Sequence, residues 1–158
     1  MANEEKILRS LELLKDIGYK SDSIRAVKHL PVQEGSFRDY PDDIHPALRQ
    51  ALVDKGFRQL FSHQRSSWEA LMEGQNIVVV TPTASGKTLC YNLPVLDAIL
   101  KDPSTRAMYL FPTKALSQDQ QAELDDVNGR LPEEIRVFTY DGDTPQDARK
   151  AIRARGHI

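Results

Sequence analysis

The chain has 158 residues, 21 Lys and Arg against 23 Asp and Glu, and a formal charge of −2. Apolar residues make up 40%, enough for a core, which excludes a wholly disordered chain; the balanced charge excludes a basic nucleic-acid coat but not a local groove. No apolar run reaches the roughly 18 residues of a membrane span, the charged N-terminal stretch is not a signal peptide, and one cysteine, Cys90, excludes a disulfide scaffold and a multi-cysteine zinc site.

The first helix is expected from Asn3 to Ile17, with Ile7, Leu11, Leu14 and Ile17 as an apolar stripe suited to docking on the domain. Residues 18–45 are irregular, punctuated by Pro31, Gly35 and Pro41. A short helix follows from Pro46 to Gly56 and buries Leu48 and Leu52. Another runs from Ser62, its expected N-cap, to Gly74 and buries Trp68, Leu71 and Met72. The organisation changes near residue 56, after which apolar strands alternate with helices, the pattern of a parallel α/β sheet.

Ile77–Val80 is a β-branched run expected to be a strand buried on both faces. A loop leads from it into a helix that ends at Leu100 and contains Pro94, where a kink is expected. The second strand is Ala107–Phe111, the next helix Lys114–Val127, and the third strand Arg136–Tyr140. Asp141-Gly142-Asp143 forms a turn, Thr144 is the expected cap of the last helix, and His157-Ile158 begins a fourth strand.

The strongest chemical signal is Thr81-Pro-Thr-Ala-Ser-Gly-Lys-Thr88, set between a strand and a helix. Backbone N–H groups of Thr83, Ala84, Ser85, Gly86, Lys87 and Thr88, with the helix N-terminus behind them, suit an anion. Gly86 admits close approach, Lys87 supplies charge between phosphates, and the Thr88 hydroxyl can ligate Mg²⁺. Thr81 stands where the strict motif has glycine. Gln64 can read adenine through its amide, and Phe57 can stack on the base, although a glutamine on a helix is usually solvated and a phenylalanine usually core. Pro112, Thr113, Lys114 and Gln118 follow the second strand, at the edge where open α/β sheets bind ligands, and suit a phosphodiester backbone. Gly142 and Thr144 hold the equivalent place after the third strand, where Asp141 and Asp143 would repel phosphate; a plain turn and helix cap accounts for these residues equally well. Arg149, Lys150, Arg153 and Arg155 make the last helix basic, most simply as a solvated face, with a DNA-proximal face as the alternative.

Together these motifs resemble the first RecA-like domain of superfamily 2 DEAD/DEAH-box helicases, over about residues 40–158. Phe57 with Gln64 looks like the adenine-reading Q motif, Thr81–Thr88 like motif I, and Pro112–Gln120 like motif Ia. Leu60-Phe-Ser-His-Gln64 and Tyr140-Asp-Gly-Asp-Thr-Pro145 are similar to RecQ-like DNA helicases of the mitomycin-repair type. The resemblance implies ATP and Mg²⁺ as cofactors, with Lys87 and Thr88 in the catalytic machinery. It also implies single-stranded or partly duplex DNA as partner, and a location in the bacterial cytoplasm or nucleoid. Residues 1–55 are then a helical extension and residues 56–158 the N-terminal part of the ATP-binding domain, ending before motif II. The family's Asp-Glu-x-His or Asp-Glu-x-Asp box occurs nowhere in the sequence, and a second RecA-like domain remains to be supplied by the same protein. Little ATP hydrolysis is therefore expected of these 158 residues alone. The alternatives are a complete, non-hydrolysing nucleotide- or nucleic-acid-binding module and, more remotely, a small P-loop kinase.

Overall fold

The computed structural model describes every residue except Met1, Asp22, Arg25, Val27, residues 29–33, Thr83 and Ala84. The expected breaker Pro31 therefore lies outside the described residues. Two compact units are present, residues 1–34 and residues 35–158.

The first unit is built on α1 (Ala2–Lys20). Ile7, Leu11, Leu14 and Ile17 are each about half exposed, 48–59%. Ser23 and Ile24 donate their N–H groups to the carbonyl of Gly18 and turn the chain after the helix.

The second unit holds β1 (Phe37–Arg38), α2 (Pro46–Asp54), β2 (Leu60–Phe61), α3 (Ser62–Met72), α4 (Lys87–Lys101), α5 (Lys114–Asn128) and α6 (Gln146–Arg155). Its core is made by helices. Leu48 and Leu52 of α2, Trp68 of α3 and Leu93 and Leu96 of α4 are at most 2% exposed and form one cluster with Leu124 and Ile135. Met72 departs from the expected buried face and is 49% exposed, because it stands in the last turn of α3. Polar contacts fix the entry to α2: the buried carboxylate of Asp97 accepts from His45 N–H at 2.7 Å and pairs with Lys101 at 2.7 Å. Lys101 also donates to the carbonyl of Asp43 at 2.6 Å. The segment 40–55 thus shares the core of the residues after it, with Tyr40 and Ile44 in the same cluster.

The expected parallel sheet is not formed as a ladder among the described residues. The single sheet found there is two-stranded and antiparallel, pairing Phe37 with Phe61 and Arg38 with Leu60. Ile77–Val80, Ala107–Phe111 and Arg136–Tyr140 nevertheless run with alternating exposure, the signature of extended chain. The expectation that Ile77–Val80 is covered on both faces is corrected: Val78 is 90% and Val80 88% exposed. The physical reason is pairing. A helix satisfies its backbone internally, whereas an extended segment needs a neighbour along its edge. Only scattered bonds serve here. Ala107 N–H donates to His157 O at 2.8 Å, His157 N–H to Arg136 O at 2.9 Å, and Phe138 N–H to Ile158 O at 3.1 Å. His157-Ile158 is thereby threaded between the second and third segments. Farther along these two segments, a cleft of about 370 Å³ separates them, floored by apolar side chains such as Tyr109, Leu124 and Val137. The side-chain amide of Asn128 takes the role of a missing strand partner, exchanging two 2.8 Å hydrogen bonds with the backbone of Ile135.

Candidate nucleotide and nucleic-acid site

The phosphate-loop residues meet at Gly86, the N-cap of α4. Its backbone is left-handed, with φ at 73°, and an added Cβ would lie 2.7 Å from Gln64 Nε2. The left-handed conformation favours glycine, and a Cβ would also push the Gln64 amide off the loop. No side chain caps α4, and although Leu89 N–H donates to Gly86 O at 3.1 Å, the N–H groups of Lys87 and Thr88 at its start suit an anion. Lys87 Nζ donates to the carbonyls of Thr81 at 2.7 Å and Pro82 at 2.6 Å, and the hydroxyls of Thr81 and Ser85 lie 2.5 Å apart. Thr88 follows in the first turn of α4, while Thr83 and Ala84 lie outside the described residues. A left-handed glycine, the backbone amides that open α4 and an ammonium ion folded onto the same loop are a donor set that fits phosphate.

Gln64 is not the solvated helical glutamine that its position first suggests; it is 4% exposed. Its Oε1 accepts from Phe61 N–H at 2.8 Å, the back-reaching half of a capping box, so Phe61 rather than Ser62 is the N-cap of α3. Its Nε2 donates to the carbonyl of Gly86 at 2.9 Å. One amide side chain therefore joins the start of α3 to the phosphate loop. Phe57 is 42% exposed, and its carbonyl accepts from Tyr40 Oη at 2.7 Å. Burial pushes the Tyr40 phenol up to about 12, so it remains a donor. Phe61 stacks on Phe37 with centroids 4.8 Å apart and would lie 3.9 Å from a Cβ at Gly86. This aromatic pair beside the loop carried no sequence signal, since Phe37 falls in an irregular stretch.

The second cluster lies where α5 meets the loop after Tyr140. Thr113 caps α5, its hydroxyl accepting from Leu116 N–H at 3.3 Å. Pro112, Lys114 and Gln118 are exposed. Lys114 pairs with Asp143 and lies 3.4 Å from Asp141, and these carboxylates raise its pKa. The hydrogen bond from Asp143 N–H holds the Asp141 carboxyl below its ordinary range, with Lys114 adding to the effect. Gly142 is exposed, and a Cβ added there would meet nothing within 4 Å. Thr144 does not cap α6, whose N-cap is Pro145; its hydroxyl is spent inside the turn, accepting from Asp141 N–H at 2.9 Å. Among the described residues no group of His, Cys, Asp and Glu is placed to hold a metal, and no helix is long and apolar enough to cross a membrane. Cys90 is buried, and burial raises its thiol pKa.

Residues 61–158 match the DEAD/DEAH box helicase family. The chain belongs to this family. It is 48% identical over 126 residues to the ATP-dependent helicase YprA of Bacillus subtilis, a match covering 80% of this chain and 17% of that protein. It is 33% identical to the ATP-dependent helicase HRQ1 of Saccharomyces cerevisiae, over 96% of this chain and 14% of that one. Among solved structures it resembles the DUF1998 helicase MrfA bound to DNA, with a TM-score of 0.77 and 48% identity over 80% of this chain and 18% of that one. MrfA bound to DNA and AMPPNP gives the same figures. The chain thus spans under a fifth of the length of these relatives. The family and the structural likeness imply a RecA-like fold and the use of a nucleotide.

Proposed function

We propose that the chain is the ATP-binding and single-stranded-DNA-contacting part of an ATP-dependent DNA helicase acting in DNA repair. The observation that carries the reading is the convergence on Gly86, where a left-handed glycine, the Lys87 ammonium and the Gln64 amide meet at the open end of α4. Ser85, Gly86, Lys87 and the first turn of α4 would hold phosphates, together with Thr83 and Ala84. Thr88 would hold Mg²⁺ and Phe57 would stack on the adenine, whose edge Gln64 would read by exchanging its bonds to Phe61 and Gly86 for bonds to the base. ATP–Mg²⁺ supplies the phosphoanhydride whose cleavage drives the cycle. This chain's residues bind and orient it, with Lys87 as the local positive charge. Pro112, Thr113, Lys114, Gln118, Gly142 and Thr144 form the proposed DNA edge. The helicase relatives, one of them solved with DNA, support that assignment.

Residues 56–158 form the N-terminal part of the ATP-binding domain in this reading, and residues 1–55 an extension whose last third lends Tyr40, Ile44, Leu48 and Leu52 to the core. The partner across the nucleotide is a second RecA-like domain of the same protein, and the setting is the reducing bacterial cytoplasm or nucleoid. No Asp-Glu-x-His or Asp-Glu-x-Asp box occurs in the sequence, so these residues alone bind nucleotide without turning it over. ATP-driven strand separation by the full-length protein, abolished by Lys87→Ala, is the expected result. Separation that survives Lys87→Ala, or phosphate release by the 158-residue chain itself, contradicts the reading.

A further inference from the structure

Arg149 lies in the first half of α6 and is half-buried, unlike its basic neighbours Lys150, Arg153 and Arg155, which are exposed. Two of its three guanidinium nitrogens donate to backbone. Nε donates to the carbonyl of Thr144 at 2.8 Å, and one terminal nitrogen reaches the carbonyls of Asp141 at 2.9 Å and Gly142 at 3.3 Å. The same group sits 5.1 Å from the centroid of the Tyr140 ring. One side chain therefore touches four of the five residues from Tyr140 to Thr144.

Apart from Arg149, this stretch is held by turn bonds between Asp141 and Thr144 and by the Lys114 pairs with Asp141 and Asp143. It belongs to no sheet ladder among the described residues. Its internal bonds are those of a turn: Asp143 N–H to Asp141 Oδ1 at 2.9 Å, and Thr144 N–H to Asp141 O at 3.3 Å. A planar guanidinium with donors fixed in a fork can gather several carbonyls at once, which a point-like ammonium cannot. With Nε and one terminal nitrogen turned onto these carbonyls, most of the Arg149 fork is engaged by the loop rather than offered to a phosphate. Lys114 is the opposite case. It is exposed, and it pairs with the carboxylates of Asp141 and Asp143, ligands that a phosphate can replace.

We infer that Arg149 is a positioning residue of the DNA edge: it sets the backbone of the Tyr140–Thr144 loop and leaves Lys114 as the cation that exchanges carboxylate for phosphate. This rests on the reading that the loop touches single-stranded DNA. The expected loss on removing Arg149 is of affinity without loss of an ionic contact.

The test is a titration of the full-length protein with single-stranded oligonucleotide at several salt concentrations, with binding of a non-hydrolysable ATP analogue measured alongside. Arg149→Ala weakens DNA binding about fivefold or more with an unchanged salt slope and unchanged analogue binding, and Arg149→Lys does not restore it. Lys114→Ala, in contrast, lowers the slope by about one. A slope that falls by about one in Arg149→Ala and recovers in Arg149→Lys makes Arg149 a phosphate contact and overturns the inference. An equal loss of analogue binding makes its role one of general folding and also overturns it. Gly142→Asp tests the underlying reading separately, because its Cβ meets nothing within 4 Å and it adds only a negative charge at the loop tip. DNA binding weakened by Gly142→Asp but untouched by Arg149→Ala defeats the inference alone; binding untouched by both defeats the loop's contact with DNA.

Discussion

Leu93 and Met108 are similarly apolar, yet one is 1% exposed and the other 80%. Leu93 belongs to α4, whose backbone is satisfied within the helix and whose apolar face needs only another surface to rest on. Met108 belongs to an extended segment, which can bury both faces only when neighbours pair along its edges and a second layer covers it. In the second unit, helices with local hydrogen bonds carry the core, while the extended segments between them keep one apolar face open. The nucleotide site lies on this seam, where the open Ile77–Val80 segment runs into the loop that starts α4.

The contrast can be broken at its strongest point first. Leu93→Ala empties a packed position and is expected to cost about 2–5 kcal/mol of the chain's stability, whereas Val78→Ser changes it by less than about 0.5 kcal/mol. Chemical denaturation of both variants checks this; comparable losses would mean that the open face is packed in solution. Asp97→Ala comes next. It leaves the half-buried His45 N–H without an acceptor and removes the carboxylate partner of Lys101, at an expected cost of about 1–3 kcal/mol by the same measurement.

A smaller effect sharpens the other side of the comparison. His157, one of the few residues joining two extended segments, has its pKa held below the usual 6.5 by burial and by the charges of Arg136 and Arg106. The unfolded chain then takes up a proton that the folded chain resists. Its contribution is therefore intact above about pH 6.5 and shrinks as the pH falls below it. Denaturation midpoints at pH 7.5 and 5.5 should differ in the wild type and converge in His157→Gln. A difference that persists in the variant would assign the acid sensitivity to other groups.

What could be read from the sequence follows the same division. Helix signals are local, and Pro46, Pro94 and the Leu48–Leu52 pair sit in the helices where they were expected. Extended conformation was legible from the β-branching of Ile77–Val80, but its pairing was not, because partners lie outside the window of any local pattern. The site shows this at single residues. Gly86 and Lys87 announce themselves by spacing, whereas the use Gln64 makes of its amide depends on a carbonyl 22 residues away. Asp141 and Asp143 looked like a liability for phosphate until the fold brought Lys114 to them across 29 residues, counted from Asp143. Arg149 read as part of a solvated basic face because nothing local shows that a turn has folded back beneath it.

Nucleotide binding at the seam is the most direct test of the account. The 158-residue chain, titrated with a non-hydrolysable ATP analogue and Mg²⁺, should bind saturably, lose binding in Lys87→Ala, and lose preference for ATP over GTP analogues in Gln64→Ala. Binding that is equal in the wild type and Lys87→Ala, or no binding in either, would contradict the assignment of Gly86 and its neighbours as the phosphate seat.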